Sequence, residues 1–175
     1  AIVSKDALAD VKIRAWDASG TSTLINAGAA AIQMSWGDVV PQLASGGIDG
    51  VLTSAEGGTN AKFWEHLSHF SALNYSMSLN MTHVNKDSWD ALSDAQRTAL
   101  QTAAASNAAW GALASRVSEN YADMEANGIT VIRDVPAGFL GELSLAGEQV
   151  YADWLAKVGD AGQKILDEFR AKRGS

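Results

Sequence analysis

Residues 35–64, SWGDVVPQLASGGIDGVLTSAEGGTNAKFW, constrain the fold more than any other stretch of the chain. Val39, Val40, Leu43 and Ala44 fall at i, i+1, i+4 and i+5, which gives a short helix one apolar face. Asp38 is placed to cap its start, with the carboxylate on the free N–H groups. That start puts Pro41 in the first turn, where a missing N–H costs little. Gly46-Gly47 ends the helix, because glycine accepts the left-handed conformation at a helix C-terminus. Asp49-Gly50 supplies the next turn, and Ile48, Val51 and Leu52 form a buried run too short for another helix. Thr53, Ser54, Glu56, Gly57 and Gly58 follow directly. Small polar residues beyond the C-terminal end of a strand stand where open α/β sheets bind ligands. The same residues also fit an ordinary surface loop.

The chain has 175 residues, enough for one domain with a real core or one domain with an appendage. Its formal net charge of −7 argues against a general nucleic-acid binder, which needs a basic footprint, and against a polybasic membrane anchor. There is no cysteine, hence no disulfide framework and no thiolate chemistry. No apolar run approaches the roughly 18 residues of a membrane span. The first residues, AIVSKDALADV, lack the basic end and apolar run of a secretory leader.

Taken in order, residues 1–10 read as an opening segment with a helical turn at 6–10. Residues 11–16 alternate apolar and polar and read as a half-buried strand. Asp17-Ala18-Ser19-Gly20 ends it, 21–28 is a short helix, and 30–34 a second strand. Residues 60–67 read as a helix with Phe63, Trp64 and Leu67 inward. Two strand-like runs follow, at 70–75 and 77–85. Residues 86–92 form a helical turn. Ser93 and Gln96 fit a capping box that opens one long helix to Asn127-Gly128. Its inward stripe is Leu100, Ala104, Trp110, Leu113, Val117, Tyr121 and Met124, and it spans on the order of 50 Å. Residues 129–133 are a strand, Pro136 opens a helix at 137–158, Gly159 ends it, and 161–172 is a terminal helix.

Arg14 is the residue whose chemistry stands out. A guanidinium offers a planar fork that matches a carboxylate bidentately, and the pair is strong where water is excluded. The residues alone leave open a solvated arginine at a strand edge. Asp17 is close enough to touch a ligand hydroxyl or amine, or to orient Arg14; it fits a turn residue equally well. Ser54 and Glu56 are further polar candidates. His66, His69 and His83 have no ligand spacing typical of a metal site and no H-E-x-x-H, so no metal is expected. Gly46-Gly47 and Gly57-Gly58 lack the spacing and the lysine of a phosphate loop, so no cofactor is expected either.

WGDVVPQLASGGIDGVLTS followed by AKFWE, the Lys12-Ile13-Arg14 strand, NKDSWDALS and the long helix together resemble the solute-binding proteins of TRAP transporters, the DctP-like family. The resemblance covers nearly the whole chain. It implies an α/β fold: the second lobe of a two-lobed periplasmic-binding-protein architecture (type II-like), with a long spine helix and C-terminal helices. It divides the chain into a second-lobe region with cross-over strands at 1–85, a spine-helix region at 86–128, and a strand and C-terminal helices at 129–175. The last region would pack on a first lobe that precedes this sequence. The chain would then be a fragment, a processed product or one part of a longer molecule, and an exposed apolar patch should mark the missing lobe.

The same resemblance implies a non-enzymatic function. The protein would capture an organic anion in the periplasm and hand it to the TRAP membrane permease, with hinge closure driven by contacts made only in the closed state. Arg14 would fix the carboxylate and Trp36 would pack against the solute body. Thr53 stands where many relatives have an asparagine, and Tyr75 matches a position at the mouth of the cleft. Trp16 departs from the family, replacing the usual proline of "R-V-P". Two other classes compete: a small α/β enzyme acting on a carboxylate with Asp17 or Glu56 as base, which lacks a nucleophile elbow, and the ligand-sensing module of a receptor.

Overall fold

The computed structural model describes residues 1–76, 82–105 and 108–173, with the side chains of all of these but 108–114 and 173. After the short helix α1 (Lys5–Leu8), strand β1 (Lys12–Ala15) runs through the middle of a three-stranded parallel sheet. Helix α2 (Ala18–Asn26) carries the chain to β2 (Ala30–Gln33), which pairs with β1 from Lys12↔Ala30 to Ala15↔Gln33. Helix α3 (Trp36–Ser45) leads to β3 (Gly50–Val51) on the other edge, paired Ile13↔Gly50 and Arg14↔Val51. The alternation at 11–16 suggested a half-buried strand. Instead Ile13, Arg14 and Ala15 are all buried, as a central strand in a parallel sheet covered on both faces requires.

Ile13 and Ala15 point into the main core with Leu8, Leu24, Ala27, Ala29 and Phe139. Arg14, between them, projects from the opposite face. There Val39, Leu43, Ile48 and Phe63 form a second cluster against Met34 and Val51.

Several boundaries differ from the sequence reading for identifiable reasons. Asp17 does not merely end β1: its Oδ1 accepts the Gly20 N–H at 2.7 Å, so α2 begins three residues earlier than expected. Asp38 does not cap α3. Ser35 holds the extended cap position, its hydroxyl donates to Asp38, and Pro41 lies inside the helix rather than in its first turn. Gly46 closes α3 in the left-handed conformation, as read. Ser54 caps α4 (Ala55–Asn60) where a polar loop was expected. A left-handed Lys62 then separates α4 from a single 3₁₀ turn at Phe63–Glu65.

Strand β4 (His69–Ser71) joins β5 (Thr130–Ile132) in a second, two-stranded parallel sheet. It is shorter than the run at 70–75 suggested. Residues 82–85 form no strand, and 77–81 lie outside the described residues. Helices α5 (Lys86–Asp90) and α6 (Asp94–Ala104) follow, and the Ser93–Gln96 capping box is present. The long helix is not continuous as described: Ala105 closes α6, and α7 (Ala108–Ala126) follows beyond residues 106–107, which are not described. Among the described side chains its stripe is buried only at the C-terminal end. Met124 is 1% exposed, whereas Leu100 and Val117 are each 50% exposed; Trp110 and Leu113 lie outside the described side chains.

Helix α8 (Ala137–Val158) starts after Pro136 and stops at Gly159, as the sequence indicated, and α9 (Asp160–Arg173) turns back along it. Gly162 is buried where the two meet. A Cβ there would lie 2.2 Å from Val158 Cγ2 and 3.0 Å from the Trp154 ring. Gly162→Ala should therefore push α9 off α8 and cost about 1–3 kcal/mol, read as a lowered thermal midpoint. An unchanged midpoint would mean the two helices are not packed this way.

Candidate functional site

The three parallel strands of the first sheet end side by side. Beyond β1 stands Trp16, beyond β2 Trp36, and beyond β3 Thr53 and Ser54. The ladder reaches this edge through Met34 N–H to Ala15 O and Leu52 N–H to Arg14 O. A cleft of ≈ 980 Å³ opens there, lined among others by Arg14, Trp16, Trp36, Thr53, Ser54 and Tyr75. Its position follows from the topology, since the C-terminal edge of a parallel sheet gathers loops from every strand.

Arg14 is 4% exposed. Its Nε–H donates to the Met34 carbonyl at 2.9 Å, and its guanidinium carbon lies 5.5 Å from the centre of the Trp36 ring. Burial lowers its pKa from the ordinary value, but a guanidinium stays charged in any protein. Every other arginine in the described ion pairs has an acid: Arg97 with Asp94, Arg116 with Glu56, Arg133 with Glu125 and Arg170 with Glu148. Arg14 belongs to none of those pairs. A buried cation held by one carbonyl and the face of an indole is unbalanced in charge, and burying it that way is expensive unless an anion arrives.

The walls are aromatic. Trp36 is 45% exposed and rests tilted on Phe63, ring centres 5.9 Å apart. Trp16 meets Tyr75 edge to face at 6.0 Å and 83°. Burial raises the Tyr75 phenol above its ordinary pKa, with the nearby Thr23 side chain opposing the shift and the charge of Asp17 reinforcing it. The phenol is thus a neutral donor at physiological pH.

The polar end is built by α4. Ser54 Oγ accepts the Gly57 N–H at 3.0 Å. Gly57 permits a close approach: a Cβ there would come within 2.6 Å of Thr53 Oγ1 and 3.3 Å of the Trp36 ring. Glu56 also lines the cleft, but Arg116 Nη2 donates to its Oε1 at 2.6 Å, so its charge is answered.

Of the residues singled out in the sequence, Arg14, Trp36, Thr53, Ser54 and Tyr75 come together on this one cleft. Asp17 does not line it; its carboxylate is spent on the start of α2. Glu56 was a polar candidate but its partner Arg116 was not, and Trp16 was marked only as a departure from the family pattern. Trp16 could have been found as a lining residue, since it directly follows the C-terminal end of the strand that carries Arg14; Arg116 could not, because nothing in its local sequence points to Glu56. Among the described residues no group of histidine and acidic side chains is arranged to hold a metal ion, and no helix is long and apolar enough to cross a membrane.

Comparison with known proteins agrees with this architecture. The family described as bacterial extracellular solute-binding protein, family 7, matches residues 2–157. A marine metagenome TRAP solute-binding protein from an unidentified microbe, specific for pyroglutamate, is 30% identical. It superposes with a TM-score of 0.72 over 98% of this chain and 57% of its own. A Bordetella pertussis extracytoplasmic solute receptor binding pyroglutamic acid shares the fold at 23% identity and a TM-score of 0.79, over 97% of this chain and 57% of that one. A Ralstonia eutropha TRAP periplasmic solute-binding protein holding acetolactate does so at 24% identity and 0.78, with 98% and 57% covered. A search of curated proteins found no match. The present chain thus spans a little over half the length of these relatives. The resemblance carried by WGDVVPQLASGGIDG and AKFWE holds, and with it the α/β lobe of type II-like binding proteins: the chain belongs to the bacterial extracellular solute-binding proteins of family 7.

Proposed function

We propose that this chain is the larger part of the periplasmic solute-binding component of a TRAP transporter, and that it captures an organic carboxylate and passes it to the membrane permease without transforming it. The observation that carries this reading is the Arg14 guanidinium, 4% exposed, bordering the cleft and matched by no described carboxylate. A carboxylate ligand would supply the missing charge in the bidentate geometry that the fork favours. Trp36 would cover the ligand body, Thr53 and Ser54 would meet polar substituents, and Tyr75 would donate from the rim.

In this reading residues 1–85 form the ligand-facing lobe, 86–128 the spine, and 129–175 the part that packs on a further lobe of the same protein. The apolar side chains left open along the later helices support that division: Leu145 is 74% exposed, Ile165 60% and Phe169 54%. The 30% identity to a pyroglutamate-specific protein makes pyroglutamate the first acid to try.

The test is mass spectrometry of the natural protein, native and then denaturing. We expect a small carboxylic acid that leaves unchanged on denaturation. A preparation that carries no acid, and whose melting midpoint no carboxylate raises by mass action, would overturn the proposal.

A further inference from the structure

The cleft has a second aromatic element besides Trp36. Trp16 stands just beyond the end of β1, two residues from Arg14, and lines the same cleft. Trp36 stands beyond the end of β2, the neighbouring strand, and its ring lies 5.5 Å from the Arg14 guanidinium carbon. Two indoles from adjacent strand ends therefore line the cleft that Arg14 borders, and both remain well exposed, 39% for Trp16 and 45% for Trp36. A large aromatic exposed to this extent inside a concave, partly apolar site is surface waiting for a partner.

Trp16 is also held in place. Tyr75 meets it edge to face at 6.0 Å and 83°. That contact favours one orientation of the indole, and a preset plane costs little entropy when a flat partner lies on it.

We infer that Trp16, positioned by Tyr75, is a specificity-determining residue that selects ring-bearing or otherwise flat carboxylates over flexible open-chain ones, the carboxylate on Arg14 and the ring against the indoles. This rests on the carboxylate reading above and names the class of acid. Thr53, at the end of β3, would then read a polar atom on the rim of the ring.

The test compares affinities by calorimetry for the natural protein and its variants. The probes are pyroglutamate and phenylacetate as ring acids and 4-oxopentanoate and hexanoate as open-chain acids of the same charge. The unaltered protein should favour the ring acids. Trp16→Ala should weaken them by about tenfold and the open-chain acids by less than about threefold, collapsing the preference. Trp16→Phe, which keeps a ring, should restore most of it and guards against a loss of folding. Equal losses for both classes, or an unaltered protein with no preference for rings, would overturn the role of Trp16 while leaving Arg14 as the carboxylate anchor. Binding of no probe, or binding untouched in Arg14→Ala, would overturn the carboxylate reading itself and this inference with it.

Discussion

Arg14→Ala should weaken carboxylate binding by on the order of 100- to 1,000-fold, because truncating one side of a buried, hydrogen-bonded charge pair costs roughly 2–5 kcal/mol. The geometry makes the loss specific. The guanidinium is buried, its Nε is anchored on Met34 O, and Trp36 covers its face, and among the described residues no other lysine or arginine lines the cleft. Arg14→Lys keeps the charge but not the fork and should fall between the two. Stability should respond in the opposite sense. In the ligand-free protein the arginine is desolvated without a counter-charge, so an apolar Arg14→Met should leave the melting midpoint unchanged or raise it. Titration calorimetry and a thermal melt of the same variants check both halves. An Arg14→Ala protein that binds its acid within threefold of the original would place the anion elsewhere.

Phe139→Ala should be the most destabilising single truncation, costing about 3–5 kcal/mol, a large share of the roughly 5–15 kcal/mol that holds a typical domain together. Phe139 is 4% exposed and sits among Leu8, Ile13, Ala15, Leu24, Ala27 and Ala29. Helix α8 has 22 residues, yet besides Phe139 only Gly147 is buried. The helix packs chiefly on α2, through the Phe139 ring in the main core, partly buried Leu143 and Ala146, and a hydrogen bond from Asn26 Nδ2 of α2 to Ala146 O at 3.0 Å. Guanidinium unfolding gives the loss directly. A cost below about 1 kcal/mol would show that α8 does not depend on this anchor.

Element limits were legible where punctuation was local. Pro136 and Gly159 bracket α8, Gly46 closes α3, and Ser93 with Gln96 opens α6, because each device acts through backbone groups within a turn of itself. They were illegible where one residue type serves two ends. An aspartate after a strand suits a turn and a helix cap alike, and at Asp17 the packing of α2 on the sheet decided for the cap. Asp38 failed for the converse reason: the extended backbone at Ser35 let the helix begin ahead of it. The apolar spacing of Leu100 and Val117 is real, but a periodic stripe says only that a face is apolar, not that an element of the same chain covers it. The cleft was partly legible. Residues at strand ends converge once the strands are parallel, which brings Arg14, Trp36, Thr53 and Ser54 together. The Trp16–Tyr75 contact joins segments that no short-range pattern relates.

The attachment of α4 to α7 has a mechanical consequence. Glu56 is bonded to Arg116 across 60 positions of sequence, the Thr59 hydroxyl reaches Asn120 O at 3.5 Å, and Gly58 leaves room for the Met124 methyl. Three successive turns of α7 thus grip a helix only six residues long. Since α4 begins at the residue after Ser54, the polar end of the cleft is a passenger on α7 more than an extension of the sheet. A shift along that long lever would carry Thr53 and Ser54 with it, while Arg14, fixed in the central strand, would stay still.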